Sequence, residues 1–342
     1  MNKIRAKAPL RLGIAGGGTD VSPYSDEHGG CVLNACINMY AHTFLSESLT
    51  KNLEFIAEDL SINESIKLSS EINIEGRLPL HRATYKKVMD EYNNGVYIPL
   101  RVVTHSDAPP GSGLGSSSTM VVSMLTAYRE LLSLPLGDYD IASLAYDIER
   151  SDCGLSGGKQ DQYAAAFGGF NFMEFYKNDR VIVNPLRIRN AIKHELESSI
   201  ILFYSGASRS SAKIIEEQIS SIGDKNTSAI DAMHEVKQSA YKIKELLLKG
   251  NIQEVAMELR ASWEAKKRTS KSISNKNIES IESTLNQSGA LSWKVSGAGG
   301  GGFMMIFVKP EDKLSIEKKL VELDGKVRRF EFIKNGSTAW KV

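Results

Sequence analysis

The stretch that most constrains this chain is Pro109-Pro110-Gly111-Ser112-Gly113-Leu114-Gly115-Ser116-Ser117-Ser118. Before it, Ile98–Val103 is rich in large and β-branched apolar residues and predicts a strand. After it, Met120, Val121, Met124, Leu125, Tyr128, Leu131 and Leu132 recur at helical spacing and predict a core-facing helix, which Pro135 and Gly137 end. A helix opening straight out of a glycine-rich turn presents unpaired amides and the positive end of its dipole to an anion. Glycine lets the backbone approach a bulky phosphate and tolerates positive φ. The three serines add hydroxyls, one of which can reach a metal bound to that phosphate. The stretch is not a Walker A loop, because the Gly-Lys-Ser/Thr ending is missing. Nor does it fit the dinucleotide fingerprint: Ser116 stands where the third small glycine would be, and Leu131–Gly137 holds no acidic ribose partner. By itself the loop is as consistent with an ordinary capped helix start as with phosphate binding.

A chain of 342 residues exceeds one ordinary core and suits two domains sharing a cleft. The expected division is 1–185 and 186–342, with the boundary between Asn178 and Arg189. In the first half Leu53–Ala57 adds a strand and Tyr139–Arg150 a helical stretch. In the second, strand-like Ser199–Tyr204 leads into a helical tract reaching about Leu285, broken near Asp224 and Asn251. Strands over Leu291–Val295 and Phe303–Val308, a helix over Glu311–Leu323 and a strand over Val327–Ile333 follow. That order predicts an antiparallel sheet covered by helices, an α+β arrangement.

The formal net charge of +1 offers no basic excess for nucleic acid, and Lys266-Lys267-Arg268 reads as a solvated helix face. Cys31, Cys36 and Cys153 have neither metal-ligand nor redox spacing, and their odd number suits a reducing compartment. With no apolar signal core after Met1 and no run of eighteen apolar residues, a cytoplasmic protein away from membranes is expected. None of His28, His42, His81, His105, His194 and His234 pairs with another at helical metal-ligand spacing, so they read as ordinary histidines.

Two further motifs flank the loop. Ala8-Pro9-Leu10-Arg11-Leu12-Gly13-Ile14-Ala15-Gly16-Gly17-Gly18-Thr19-Asp20 lies near the start and Lys294-Val295-Ser296-Gly297-Ala298-Gly299-Gly300-Gly301-Gly302-Phe303 near the end. Six glycine-dominated residues between two strands exceed the needs of a tight hairpin and let amides approach a phosphate or acceptor. Together with Pro-x-x-x-Gly-Leu-Gly-Ser-Ser at the centre, the three motifs in this order resemble the GHMP kinase superfamily. The resemblance implies an N-terminal domain like ribosomal protein S5 domain 2, a C-terminal ferredoxin-like domain, and ATP with Mg2+ as cofactors. Pro110, Gly111, Ser112, Gly113, Leu114, Gly115, Ser116, Ser117 and Ser118 are then expected to bind ATP.

By the same resemblance Glu149 is the magnesium carboxylate and Ser117 its hydroxyl partner; a surface ion pair is the competing reading of Glu149. Ser156-Gly157-Gly158-Lys159-Gln160-Asp161-Gln162 resembles the Gly-Gly-x-x-Asp-Gln stretch of the sugar-kinase branch. Asp161 is the candidate base for the acceptor hydroxyl and Arg11 the cation that orients it, although Asp161 also suits a helix cap. Gly17, Gly18, Thr19, Asp20, Gly297, Gly299 and Gly300 are expected at the acceptor, with Asp20 accepting from sugar hydroxyls; an Asx turn competes for Asp20. The Gly-Gly-Gly-Thr-Asp form resembles the branch that phosphorylates heptose 7-phosphate and is similar to the fucokinases. It implies phosphorylation of the anomeric hydroxyl, giving a 1,7-bisphosphate for a nucleotide-activated heptose. A second phosphate on the acceptor needs a cation, for which Lys159 and Arg209 are candidates. A fucokinase- or galactokinase-like hexose kinase, a non-catalytic nucleotide-binding relative and an ATP-dependent decarboxylase are the alternatives.

Overall fold

The structure, a computed structural model, describes residues 3–68, 72–206 and 211–342. Its first sheet has eight strands: β1 (Ile4–Ala15), β2 (Gly30–Glu47), β3 (Leu53–Ala57), β4 (Ile62–Ile66), β5 (Leu100–Ser106), β6 (Phe170–Phe175), β7 (Val181–Pro185) and, from the far end of the chain, β12 (Thr338–Lys341). The spatial order is β12-β1-β2-β5-β3-β4, with the β6–β7 hairpin also attached to β2. A second, antiparallel sheet runs β11-β8-β10-β9, from β8 (Ile200–Tyr204), β9 (Ser292–Val295), β10 (Phe303–Phe307) and β11 (Lys326–Arg328). The α+β architecture thus follows the expectation, while the span 186–342 and the second sheet are not coextensive, since β12 lies in the first.

The expected elements shift at their ends. The strand read at 98–103 is Leu100–Ser106, and that read at 327–333 is only Lys326–Arg328. The long helical tract is four helices, α7 (Ser211–Gly223), α8 (Thr227–Lys249), α9 (Ile252–Lys267) and α10 (Lys276–Ser288). Glycine ends α8 and α10: Gly250 and Gly289 take φ of 84° and 81°, the left-handed turn that closes a helix.

The first sheet carries α2 (Pro79–Tyr92), α3 (Ser116–Leu132), α4 (Asp138–Asp147) and α5 (Gln160–Phe167) on one face, around Val121, Leu125, Tyr128, Ile141 and Phe55. Its other face meets α8, α9 and the second sheet through Leu12, Leu33, Leu202, Leu259 and Met305. Beyond the second sheet, α10 and α11 (Lys313–Val321) pack Ile281, Leu285, Ile316 and Leu320 against Phe203 and Ile306. Two short helices, α1 (Tyr24–His28) and α6 (Asn190–Ser199), complete the chain. Both faces of β8 and β10 are buried, which is why they read as unbroken apolar runs. Cys31 and Cys36 lie buried and unpaired, with thiols that burial pushes up to about 12. Among the described residues no helix is long and apolar enough to cross a membrane.

Candidate active site

The site begins with an irregularity in β1. Ile4, Ala6 and Ala8 face the core under α3, yet Leu10, Leu12 and Ile14 face the opposite core, although all are even-numbered. A register shift against β2 between Pro9 and Arg11 makes the switch. Proline has no N–H to give the ladder, so a bulge beside it costs little. The result turns Arg11 inward, where its side chain is 3 % exposed.

Arg11 is the meeting point of the three glycine-bearing motifs. Its Nη1 donates to the Gly113 carbonyl at 2.6 Å and to Ser296 Oγ at 3.4 Å. Its Nε and Nη2 both reach Asp161 Oδ1, at 2.7 and 2.5 Å. The expected partnership of Arg11 with Asp161 is therefore present, with the guanidinium holding one carboxylate oxygen. Oδ2 faces Gly115: a Cβ built there would lie 3.0 Å from it, and the φ of +78° at Gly115 also calls for glycine.

At Gly115 the loop becomes α3, so the amides of the first helical turn point into a cavity of about 250 Å³. Gly111, Ser112, Gly113, Gly115 and Ser116–Ser118 line it, as do Arg11, Asp20, Glu149, Asp161 and Gly297. Glu149 is 2 % exposed and lies on a π-helical turn, Ile148–Asp152, that continues α4. Ser117 Oγ donates to its Oε1 at 3.2 Å and Gln162 Nε2 to its Oε2. Burial pushes the Glu149 carboxyl up, against the pull of Arg150, Ser118 and Gln162. The nearest cation, Arg150, stays 3.9 Å away. A buried carboxylate beside a hydroxyl at the cavity-lining start of α3 is a donor set of hard oxygens, and it fits a magnesium ion.

Asp20, 1 % exposed, accepts from the amides of Gly18 and Gln160 and from Gln160 Nε2, each at 3.1 Å. The Gly157–Gly158 pair makes room for Arg150 and Asp20. A Cβ on Gly158 would fall 2.0 Å from Asp20 Oδ2, and one on Gly157 2.4 Å from Arg150 Nη2.

Several expected residues stand elsewhere. Pro110, Leu114, Gly17 and Thr19 are outside the cavity lining. Leu114 is buried in the core. The Thr19 hydroxyl is bound to the Gly16 and Cys31 carbonyls, a fold-closing role. Gly299 and Gly300 pack on Ile273, with the Gly300 N–H bonded to its carbonyl at 2.8 Å, so they are held by the 270s loop. Lys159 points away, its Nζ 2.6 Å from Asp179 and 5.2 Å from the Tyr146 ring centre. Arg209 lies outside the described residues.

Two cations in the cavity were not singled out from sequence. Arg150 reaches the carbonyls of Leu155 and Gly158, at 2.9 and 3.2 Å. Lys266, in the last turn of α9, donates to the Gly17 carbonyl at 2.7 Å, and burial lowers its pKa to about 8 against the opposing pull of Asp20. The signal that hid it was the Lys-Lys-Arg run, which looked solvated.

Residues 79–169 match the GHMP kinases N terminal domain and residues 243–322 the GHMP kinases C terminal region. The chain is 43 % identical over 342 residues, all of both proteins, to a D-glycero-alpha-D-manno-heptose 7-phosphate kinase of Campylobacter jejuni. It superimposes on a crystal structure of a D-glycero-D-manno-heptose 1-phosphate kinase from Bacteriodes thetaiotaomicron with a TM-score of 0.85 and 44 % identity, over 99 % of each chain. A Lactococcus lactis galactokinase complexed with galactose shares the fold at a TM-score of 0.77 and 16 % identity, over 98 % of this chain and 95 % of that one. With its three motifs gathered on Arg11 and a full-length relative at this level of identity, the chain belongs to the GHMP kinase family and is an ATP-dependent kinase.

Proposed function

We propose that this sugar kinase transfers the γ-phosphoryl group of ATP to the anomeric hydroxyl of D-glycero-D-manno-heptose 7-phosphate, giving the 1,7-bisphosphate for a nucleotide-activated heptose. The observation that carries the reading is the pairing, in one cavity, of a carboxylate suited to sugar hydroxyls with cations beyond those the ATP needs. Asp20 supplies the first, Lys266 and Arg150 the second. A phosphate already on the acceptor gives those cations a partner. The names of the two similar proteins agree on a phosphorylated heptose and differ on which phosphate it bears.

Phosphoryl transfer asks the protein for position and charge more than covalent help. The amides of Ser116, Ser117 and Ser118 cradle the ATP phosphates. Ser117 and Glu149 would hold magnesium, which neutralises phosphate charge when bound. Arg11 fixes Asp161 through Oδ1, and Oδ2 takes the proton of the acceptor hydroxyl. Asp20, held by Gln160, orients the sugar. A cytoplasmic location is supported by the use of ATP and by the unpaired cysteines Cys31, Cys36 and Cys153.

A coupled ADP-release assay across heptose 7-phosphate, heptose 1-phosphate, fucose and galactose tests the proposal. Expected is a kcat/KM for heptose 7-phosphate about 100-fold or more above that for the unphosphorylated hexoses, since a charged pocket rejects a ligand lacking its partner. Phosphorus NMR of the product should show a new anomeric phosphate. Equal turnover of fucose, or preference for the 1-phosphate, would overturn it.

A further inference from the structure

We propose that His42, His105 and Asp107 form a binding site for a divalent transition-metal cation of the zinc type, separate from the phosphate cavity. The ligand atoms of the three side chains lie within 4.8 Å of one another. None of the three lines the catalytic cavity. His42 is distant in sequence from His105 and Asp107 and meets them because it stands directly opposite His105 of β5 in the antiparallel ladder.

The face is assembled row by row. Phe44 opposes Val103, His42 opposes His105, and Tyr40 is bonded to Asp107, just past the end of β5. The opposite face of β2 carries Thr43, hydrogen-bonded to Ser123 of α3, so the histidines stand on the side away from α3. The two imidazoles are stacked 4.5 Å apart at 17°, and Phe44 stacks on both at 6.3 and 5.8 Å. Asp107 is fixed twice to Tyr40: its N–H donates to the Tyr40 carbonyl at 2.9 Å, and its Oδ2 accepts the Tyr40 N–H at 2.8 Å. That same Oδ2 is 4.0 Å from His42 Nε2. Lys7, opposite His42 on β1, lies over the Tyr40 ring, 4.5 Å from its centre.

Zinc takes imidazole nitrogen and carboxylate oxygen at about 2.0–2.2 Å. Two imidazoles and one carboxylate leave a further position for water, and imidazole selects transition metals over magnesium. The two stacked rings are partly exposed, and they must rotate so that their in-plane nitrogen lone pairs converge as the ligand atoms close to tetrahedral spacing. A bound ion would tie the end of β5 to β2 two residues before Pro109, where the phosphate loop begins.

Calorimetric titration of the full chain with Zn2+, in excess Mg2+, tests this. Expected is one equivalent at this site, with affinity falling at least about tenfold in both His42→Phe and His105→Phe. Phenylalanine keeps the stacked ring, and kinase turnover without zinc should stay unchanged. Equal affinity in both variants and the parent chain, or no binding by the parent chain, would overturn the site. Imidazole nitrogen NMR of the unmodified protein tests the same site without a variant: zinc must move the His42 and His105 signals, and unmoved signals refute the proposal.

Discussion

Glu149 and Lys266 are both buried ionisable groups lining one cavity. Burial pushes the Glu149 carboxyl up, so its neutral form persists to higher pH than that of an exposed carboxyl. Its favourable contribution is present at pH below the unfolded carboxylate value and is lost as pH rises through the raised folded one. Glu149→Gln removes the charge while its amide oxygen can still accept from Gln162 and its amide nitrogen can donate to the Ser117 hydroxyl. Expected at neutral pH is an unchanged or higher melting temperature without magnesium, together with a magnesium half-saturation at least about tenfold higher; an unchanged magnesium titration would make Glu149 structural. Lys266 has the mirror-image problem. Its pKa, lowered to about 8, means that the neutral amine grows above that pH, while a bound phosphate favours the ammonium. Acceptor KM should therefore rise above pH 8, and Lys266→Met should raise it about 10- to 100-fold at pH 7 with ATP KM little changed. A variant with unchanged acceptor KM would remove Lys266 from the substrate site. Asp161→Asn, by contrast, should lower kcat far more than ATP affinity, and near-normal turnover would rule out the base. Asp161 and Asp20 were legible because they sit inside motifs, and Glu149 only by its position upstream of one. Lys266 was not, since only the docking of α9 on Gly17 distinguishes it from its solvated neighbours.

The glycine-serine loop is clamped between the C-terminal glycine segment, at Ser296–Gly297 and Gly302, and Arg11 of β1. Gly113 has φ of +82°, and a Cβ there would lie 2.3 Å from the Ser296 carbonyl, backbone against backbone. Neither partner can swing aside as a side chain would. Gly113→Ala should therefore part the central and C-terminal motifs, costing about 2–3 kcal/mol and raising ATP KM sharply. Gly289→Ala is the matched control: its φ is +81°, but no atom lies within 4 Å of the added methyl. It should cost about 1 kcal/mol with activity intact. Thermal melts and ATP titrations of the two side by side separate backbone strain from loop docking, and equal effects would refute the clamp. Glycine clusters announced close approaches in the sequence without naming the partners. Gly299 and Gly300 serve the Ile273 loop, and Gly157 and Gly158 serve Arg150 and Asp20, because register between distant segments is a tertiary property. The His42–His105 pairing escaped for the same reason: helical spacing was the wrong ruler for residues joined across a sheet.

On the scale of the whole molecule, Arg11 lies on a strand whose outer edge is covered by β12. β12 pairs with β1 from Ile4–Lys341 to Lys7–Thr338 and also packs against α3, the helix that carries the phosphate loop. Ser337 reaches Thr126 of α3 at 2.9 Å, and the Val342 N–H donates to the Lys3 carbonyl at 2.8 Å. This closure could not be read from the order of elements, since sequential strands usually neighbour one another and β12 follows four strands of the other sheet. Deleting Thr338–Val342 would leave Ile4–Lys7 as an open edge with unpaired N–H and C=O groups. The loss should reach Arg11, which lies just beyond the bulge on the same strand, by loosening the segment that aims it. Expected are a lower melting temperature, a shift toward oligomers in size-exclusion chromatography, and a lower kcat. The Arg11–Asp161 pair is untouched by the deletion, so a fall in kcat would report its positioning. A truncated chain that melts, elutes and turns over like the full one would show that β12 merely decorates the edge.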